Sequence, residues 1–464
     1  MADPVSPAAH ATPTAQSLPA ASAAVKAASV FDDHNPPSVK LINECVHCGF
    51  CLPTCPTYAL WHEEMDSPRG RIYLMKLATD GQTQMTDTFV AHFDRCLGCM
   101  ACMPACPSGV KYDKLIEATR AQIERNHPRS LWERIHRRLI FALFPHPSRL
   151  RVLLLPVWLY QVSGIQWLVK RLGLLRILPA AVRSMEDLLP RFSFRCLFSK
   201  PAERVPAQGT PRLRAGVLLG CVQRVLFSQV NDATVRVLAA EGCEVIVPAG
   251  QGCCGALMIH AGQEQPALEL ARRLIDAFEH ANVDVIVSNA AGCGSNLKDY
   301  AYLLRDDPIY AERAKAFSAR CKDVSEVLSE LEPRALRHPL PLRVAYHDAC
   351  HLQHAQGVRA QPRKALATIP SLEVVEIADR EICCGSAGIY NLIQHGPAQE
   401  LGDKKARNCA ATNADAVVSS NPGCLLQISA GMKRNGHALP VLHLVELLDA
   451  AIRGVQPDQI KHAQ

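Results

Sequence analysis

Two short cysteine runs carry the clearest chemistry in the chain. They read Cys45-x2-Cys48-x2-Cys51-x3-Cys55-Pro56 and Cys96-x2-Cys99-x2-Cys102-x3-Cys106-Pro107. Each matches the C-x₂-C-x₂-C-x₃-C-P run of a bacterial two-cluster ferredoxin. A cubane iron–sulfur cluster needs thiolates converging from several directions. The x2 loops let three sulfurs wrap one face, and the fourth cysteine begins a helix that points away, toward the other cluster. The expected ligand sets are Cys45, Cys48, Cys51 and Cys106 for one [4Fe-4S] cluster, and Cys96, Cys99, Cys102 and Cys55 for the second. Zinc knuckles pair their cysteines without a third x2 step or a Cys-Pro ending, which makes zinc, like free thiols, the weaker account.

Eight further cysteines form a second pattern. Cys221-x31-Cys253-Cys254-x38-Cys293 is followed by Cys350-x32-Cys383-Cys384-x39-Cys424. Agreement within one residue at each gap marks an internal duplication. Four convergent thiols per copy suit a tetrahedral metal or an iron–sulfur cluster, and an adjacent Cys-Cys pair is awkward for a simple knuckle. Neighbouring glycines (Gly220, Gly252, Gly255, Gly292, Gly294) leave amide N–H groups for sulfur, and the helix N-termini that follow favour thiolate. The competing account is small buried residues in tight turns. That account suffices for Cys196, Cys243, Cys321 and Cys409, which fall outside the pattern. His347-Asp348 and His351-x2-His354 flank Cys350, either as support around a cluster or as solvated polar residues at a helix start.

The elements that hold these sulfurs are legible from residue 213 onward. Apolar runs RAGVLLG, CEVIVPA and VDVIVSN alternate with helical stretches at about 228–240 and 266–281. LRVAY, LEVVEI and DAVVSS repeat the alternation, with a helix over GDKKARNCAATN. Such alternation predicts α/β units with parallel sheets, each cysteine lying just past a strand at the carboxyl edge. The expected organisation is an Ala/Pro-rich disordered tail (1–38), a small helical α+β ferredoxin-like segment (39–125), a basic, apolar helical connector and linker (126–212), and two cysteine-rich units (213–335 and 336–464). Pro201 to Pro211 reads as the linker proper.

Composition sets the bounds. The chain has 464 residues, 20 of them cysteine, with 48% hydrophobic and 20% charged residues and a net charge of +6. That balance excludes a wholly disordered or polytopic membrane protein and gives no argument for nucleic acid. The N-terminus lacks the basic and apolar regions of a secretory signal, so a cytoplasmic, reducing compartment is expected, where clustered cysteines mean metal or redox chemistry. Residues 131–200 stand apart, with twelve basic residues against three acidic ones and three of the four tryptophans. Val152 to Val169 is uncharged, short for a membrane span and interrupted by Pro156 and Gly164. It reads either as a buried connector helix or as a surface lying on anionic lipid.

With these residues in view, CVHCGFCLPTCPTY, SPRGRIYLMK and RCLGCMACMPACPSGVKY resemble the iron–sulfur subunit of bacterial glycolate oxidase (glycolate dehydrogenase). The two Cys-Cys-Gly segments resemble the cysteine-rich CCG domains of heterodisulfide reductase, found also in lactate-utilisation proteins and anaerobic glycerol-3-phosphate dehydrogenase. One departure stands out: the fuller CCG motif ends in CxxC, but Gly-Ser-Asn follows Cys293 and Leu-Leu-Gln follows Cys424. The resemblance implies an electron-transfer subunit with two [4Fe-4S] clusters and further clusters at the CCG sites. It also implies FAD on a partner dehydrogenase subunit that oxidises a 2-hydroxy acid, glycolate foremost, and a quinone pool as acceptor. Peripheral attachment to the cytoplasmic face of the inner membrane would follow. No nucleotide-binding glycine motif and no substrate-oxidising base occurs in the sequence, so the isolated chain is not expected to oxidise substrate. The alternatives are a thiol or disulfide reductase acting at the CCG sites, a lactate or glycerol-3-phosphate dehydrogenase subunit, and a zinc-stabilised scaffold.

Overall fold

The computed structural model describes residues 28–177, 180–190 and 194–461. Of the expected disordered tail, residues 1–27 lie outside the described residues. The rest is anchored: Phe31 is buried, and Asp32 accepts hydrogen bonds from Arg125, Gln122 and Asn126. The Arg125 guanidinium, the first of these partners, holds the Asp32 carboxyl well below its ordinary range.

Short, well-capped helices build the ferredoxin-like segment. Ser67 caps the helix Pro68–Thr79, with proline at its first position, and Thr86 caps Asp87–Asp94. Both caps satisfy amide N–H groups that a helix start leaves open. Together with Tyr112–Asn126 these helices enclose a core of Ile72, Met75, Phe89, Phe93, Leu115 and Ile116.

Nine strands follow among the described residues: β1 Arg204–Val205, β2 Leu213–Leu218, β3 Cys243–Ile246, β4 Val285–Ser288, β5 Cys321–Asp323, β6 Arg343–Tyr346, β7 Glu373–Glu376, β8 Ala416–Ser419 and β9 Val441–His443. They form two sheets, ordered β1-β3-β2-β4-β5 and β7-β6-β8-β9. All pairings are parallel except β1 with β3. Leaving out β1, the two orders are the same, as a duplication requires. The sequence reading missed β1, β5 and β9. β1 lies inside the supposed linker, whose edge therefore pairs with the first sheet. The helix expected over residues 402–413 starts earlier, at His395, and runs to Ala410.

The two units are joined by a repeated contact. The helix Ser228–Ala240 of the first packs on Leu444–Arg453 of the second, and Val324–Glu330 of the first packs on Ala360–Ala367 of the second. These are equivalent pairs with the units exchanged, so the interface has a pseudo-two-fold axis. A single apolar core runs through it, including Val230, Val237, Val327, Leu366, Leu447 and Leu448. Within this interface burial pushes the Glu446 carboxyl up to about 7. A raised acid pKa means stability is full below the unfolded value and is lost as pH rises toward 7. Glu446→Gln keeps the hydrogen bond to the His443 N–H. It should leave stability nearly unchanged at pH 4 and raise it by about 1–3 kcal/mol at pH 8, which urea unfolding at both pH values would read.

Connector helices cover one side of the joined units. Leu131–Leu143 begins with a reciprocal Ser130–Glu133 cap. Pro147–Val162 and Ile165–Arg171 meet at a 66° bend, where Gly164 supplies the positive φ. No single helix among the described residues is long and apolar enough to cross a membrane. Nor is the segment simply a buried connector: Leu150 and Leu154 are buried, but Val152, Leu159, Val162, Ile165, Trp167 and Leu168 are exposed.

Candidate metal centres

The two ferredoxin runs fold as matched loops. His47 and Gly98, and likewise Gly49 and Met100, occupy equivalent positions and all have positive φ. These left-handed residues curl each backbone so that successive cysteines turn toward one point. His47 and Met100 hold that conformation without being glycine, a strain that recurs at functional sites. Cys45, Cys48, Cys51 and Cys106 line one cavity, whose wall Cys102 also touches. Cys55, Cys96, Cys99 and Cys102 line another. Cys55 caps the helix Pro56–Trp61, as a fourth cysteine is expected to do. Cys106 does not: a turn follows it, Gly109 has a φ of +67°, and the next helix starts only at Tyr112.

The two cavities differ in surroundings. The first is open, with Cys48 exposed and Val46 and Phe50 both 67% exposed on its loop. The second is enclosed, and all four of its cysteines are buried. Burial first, and then the neighbouring cysteines, push the Cys99 and Cys102 thiols far up. Cys96 goes the other way. Burial opposes its ionisation, but the charges of Arg71 and Arg120, the Gly98 N–H and the Tyr112 hydroxyl outweigh it. Arg71 is fully buried, donating to His92 O at 2.6 Å, to Thr57 Oγ1 at 3.2 Å and to Asp66 at 3.3 Å. Arg120 donates to the backbone carbonyls of Cys96, Phe93 and His260. Neither arginine was singled out from sequence, since a charge amid helical residues reads as solvated.

The duplicated cysteines converge as well. Sγ of Cys221 and Cys253 are 3.3 Å apart, and those of Cys350 and Cys383 are 3.8 Å apart. All eight line one chamber of about 790 Å³ between the two units and the connector. No disulfide joins them. The glycine after each Cys-Cys pair is required: Gly385 has a φ of +88°, and a Cβ there would meet Ala398 O at 2.6 Å. Of the first-copy glycines, Gly255 donates its N–H to sulfur, on Cys253 at 3.4 Å. Gly292 and Gly294 instead donate to oxygen. The expected thiolate bias is overturned. Cys221 and Cys350 are pushed well up, first by the hydrogen bonds they share with Cys253 and Cys383 and then by burial. Thiols grouped without disulfides, in surroundings that disfavour their ionisation, give up their protons to a metal cation rather than to bulk.

The residues at the missing-cysteine positions do not replace it. Asn296 donates to Cys254 O at 2.6 Å, and Gln427 donates to Ala398 O at 2.7 Å. The second copy has another donor. His347 is 1% exposed, and both its ring nitrogens lack a hydrogen-bond partner. Its ligating nitrogen and the sulfurs of Cys384 and Cys424 lie within 4.8 Å of one another. Burial holds the ring neutral, the form that binds metals. Asp348 turns away into an ion pair with Arg363 at 2.7 Å. Cys243, Cys321 and Cys409 are buried core residues, as expected: Cys243 packs apart from the eight, whereas Cys321 shares a packed cluster with Cys254 and Cys293, and Cys409 one with the second-copy set.

The second ferredoxin cavity adjoins the second CCG set. Cys99, Leu97 and Ala101 share one packed cluster with Cys350, Cys383, Cys384 and Cys424. Open site, enclosed site and shared chamber thus succeed one another through the molecule.

Comparison with known proteins agrees with this layout. Residues 41–110 match the 4Fe-4S dicluster domain, and residues 215–298 and 344–429 each match the cysteine-rich domain. Residues 132–189 match the linker region of the glycolate oxidase iron–sulfur subunit. Lactate utilization protein A of Exiguobacterium sp. is 29% identical over 50% of this chain and 96% of its own length. The glycolate oxidase iron–sulfur subunit of Escherichia coli (strain K12) is 35% identical over 89% of this chain and 94% of its own length. A probable glycolate oxidase iron–sulfur subunit of Bacillus subtilis (strain 168) is 41% identical over 88% and 93%. Similarity at that level across nearly the whole of both subunits means that this chain belongs to the glycolate oxidase iron–sulfur subunit family.

Proposed function

We propose that the chain is the electron-transfer subunit of a flavin-dependent glycolate dehydrogenase, carrying electrons from an FAD-bearing partner to a quinone. The observation that carries this reading is the succession of thiol sites from exposed to enclosed to shared chamber. Bound at these sites, iron–sulfur clusters supply one-electron carriers whose potentials follow charge, hydrogen bonding and burial. Cys45, Cys48, Cys51 and Cys106 would hold one cluster, and Cys96, Cys99, Cys102 and Cys55 the other. The exposed Val46 and Phe50 offer the partner flavoprotein an apolar landing beside the open site. Arg71 and Arg120 place positive charge beside the enclosed site, which favours its reduced state. Cys221, Cys253, Cys254 and Cys293 offer a four-thiol set, while His347 gives Cys350, Cys383, Cys384 and Cys424 a fifth donor.

The test is the purified complex given glycolate under anaerobic conditions, followed by EPR and by reduction of an alkylated benzoquinone. Reduced-cluster signals from this subunit and quinol formation are expected. Flavin reduction with no EPR change in this chain would overturn the reading. An iron content of about eight per chain would confine the clusters to the two ferredoxin sites.

A cytoplasmic protein held peripherally on the inner membrane is part of the same proposal. The connector presents Trp132 at 80% exposure, together with Trp167, Leu168 and Leu172, among basic residues. Such a surface suits the interface of an anionic bilayer, where each basic residue contributes about 1 kcal/mol. Flotation of the assembled complex with anionic and with neutral vesicles should show salt-sensitive binding to the anionic ones. Equal, negligible binding to both would remove the membrane role.

A further inference from the structure

The chamber is larger and more apolar than metal ligation requires. Its volume is about 790 Å³, within the roughly 300–1,000 Å³ of small-molecule sites. Cysteines of both units line one part of it. Leu150, Leu154, Val157 and Tyr160 of the helix Pro147–Val162 and Met185 and Leu188 beyond the bend line the rest. Among the described residues no lysine or arginine lines it, so an anionic ligand, whether hydroxy acid or carboxylated thiol, would meet no counter-charge from them, which is costly. Glu186 is the one acidic residue among the described residues of the wall, and it is already paired with Lys170 and Gln166.

The helix Pro147–Val162 has two apolar faces. Leu150 and Leu154 turn inward, while Val152, Leu159 and Val162 are exposed. One helix therefore separates the chamber from the surface that the connector offers to lipid. Beside the cysteines the chamber is lined by two histidines, His260 and His351, with Nε2 atoms 3.2 Å apart. His351 Nδ1 lies 3.5 Å from Cys350 Sγ. His260 Nδ1 is held by Glu117 at 3.0 Å, and the pair also borders a smaller polar cavity of about 140 Å³ that includes Glu117 and Asp299.

We infer that this chamber binds the acceptor quinone, its ring at the histidine end beside the cysteines and its isoprenoid tail under the helix Pro147–Val162. The inference rests on the proposed electron delivery to quinone and adds where it occurs. The quinone takes two electrons, supplied through this chain from the partner's flavin and ultimately from the hydroxy acid. It takes two protons from water by way of the partly buried His260 and its polar cavity. Each ring carbonyl becomes a hydroxyl, no other bond breaks, and the quinol leaves.

The experiment uses the assembled complex with glycolate as donor and a decyl-substituted benzoquinone as acceptor, each rate normalised to ferricyanide reduction by the same preparation. Val157→Trp and Leu154→Trp fill the chamber and should raise the KM for the quinone about tenfold or more. On the wild-type complex, which carries no folding risk, an azido-substituted benzoquinone should label the helix Pro147–Val162 or the His351 segment on illumination, and excess decyl-benzoquinone should suppress the labelling. Labelling confined to other segments, or an unchanged KM in both variants, would overturn the chamber. A wild-type complex that reduces ferricyanide but no quinone would overturn the acceptor reading itself, so the two failures are distinguishable.

Discussion

Serine at Cys55 is expected to remove the cluster whose other ligands come from the distant second run, and serine at Cys48 the cluster of its own run. The reasoning is geometric. Cys55 opens the helix Pro56–Trp61 and lines the enclosed cavity with Cys96, Cys99 and Cys102, whereas Cys48 lines the open one. Each variant should lose about four irons per chain, and the EPR signals lost should differ between the two. The functional consequence also differs in kind. Cys55→Ser should abolish glycolate-to-quinone transfer while the exposed site still becomes reduced, because the enclosed site lies between it and the chamber. If both variants lose the same signal, the crossed ligation is wrong.

The second large effect is expected at Arg71. Its guanidinium is wholly buried and joins Asp66, Thr57 and the His92 carbonyl, and Asp66 is also held by His92 and Arg95 at 2.9 Å each. Arg71→Leu strands a buried carboxylate with fewer partners, a change that costs about 3–5 kcal/mol. Arg71→Lys keeps the charge but loses the fork that spans three acceptors, so it should recover only part of the loss. Chemical denaturation, with hydrogen exchange across the helix Tyr112–Asn126, would read the stability term. A separate readout follows the charge: Arg71→Leu should shift the potential of the enclosed site to a more negative value, and Arg71→Lys should largely restore it. Stability and potential recovering in parallel for both variants would mean that Arg71 acts only through packing.

Much of this architecture was legible because it is encoded locally. The x2 and x3 spacings are short-range, and the apolar runs at 213–218, 285–288 and 416–419 are long enough to read as buried strands. β5 and β9 were not, because Cys-Lys-Asp and Val-Leu-His are too short for any periodicity to show. β1 was hidden among prolines that ordinarily argue against pairing. The thiol ionisation was misjudged for another reason. Helix N-termini can be inferred from sequence, but neither the thiol–thiol hydrogen bonds made across the fold nor the depth of burial can, and these, in that order, prevail at Cys221 and Cys350. The single chamber was invisible because its walls are far apart in the chain. Leu154, Cys253 and Cys424 meet only once the two units dock and the connector folds over them.

The pseudo-two-fold interface bears on how such a chain arose. A face that fits a copy of itself is what an isologous homodimer uses. The exchanged helix pairs, Ser228–Ala240 with Leu444–Arg453 and Ala360–Ala367 with Val324–Glu330, keep that mark. An ancestral half-length protein would have met its twin by collision, with both halves bound to remain identical. Fusion into one chain makes the encounter intramolecular and independent of concentration. It also releases each half to drift. Three residues before the first cysteine of each set, the early copy has Leu218 and the late copy has His347, aliphatic in one and a free metal donor in the other. Symmetry in the scaffold and asymmetry in its chemistry are the joint inheritance of that fusion.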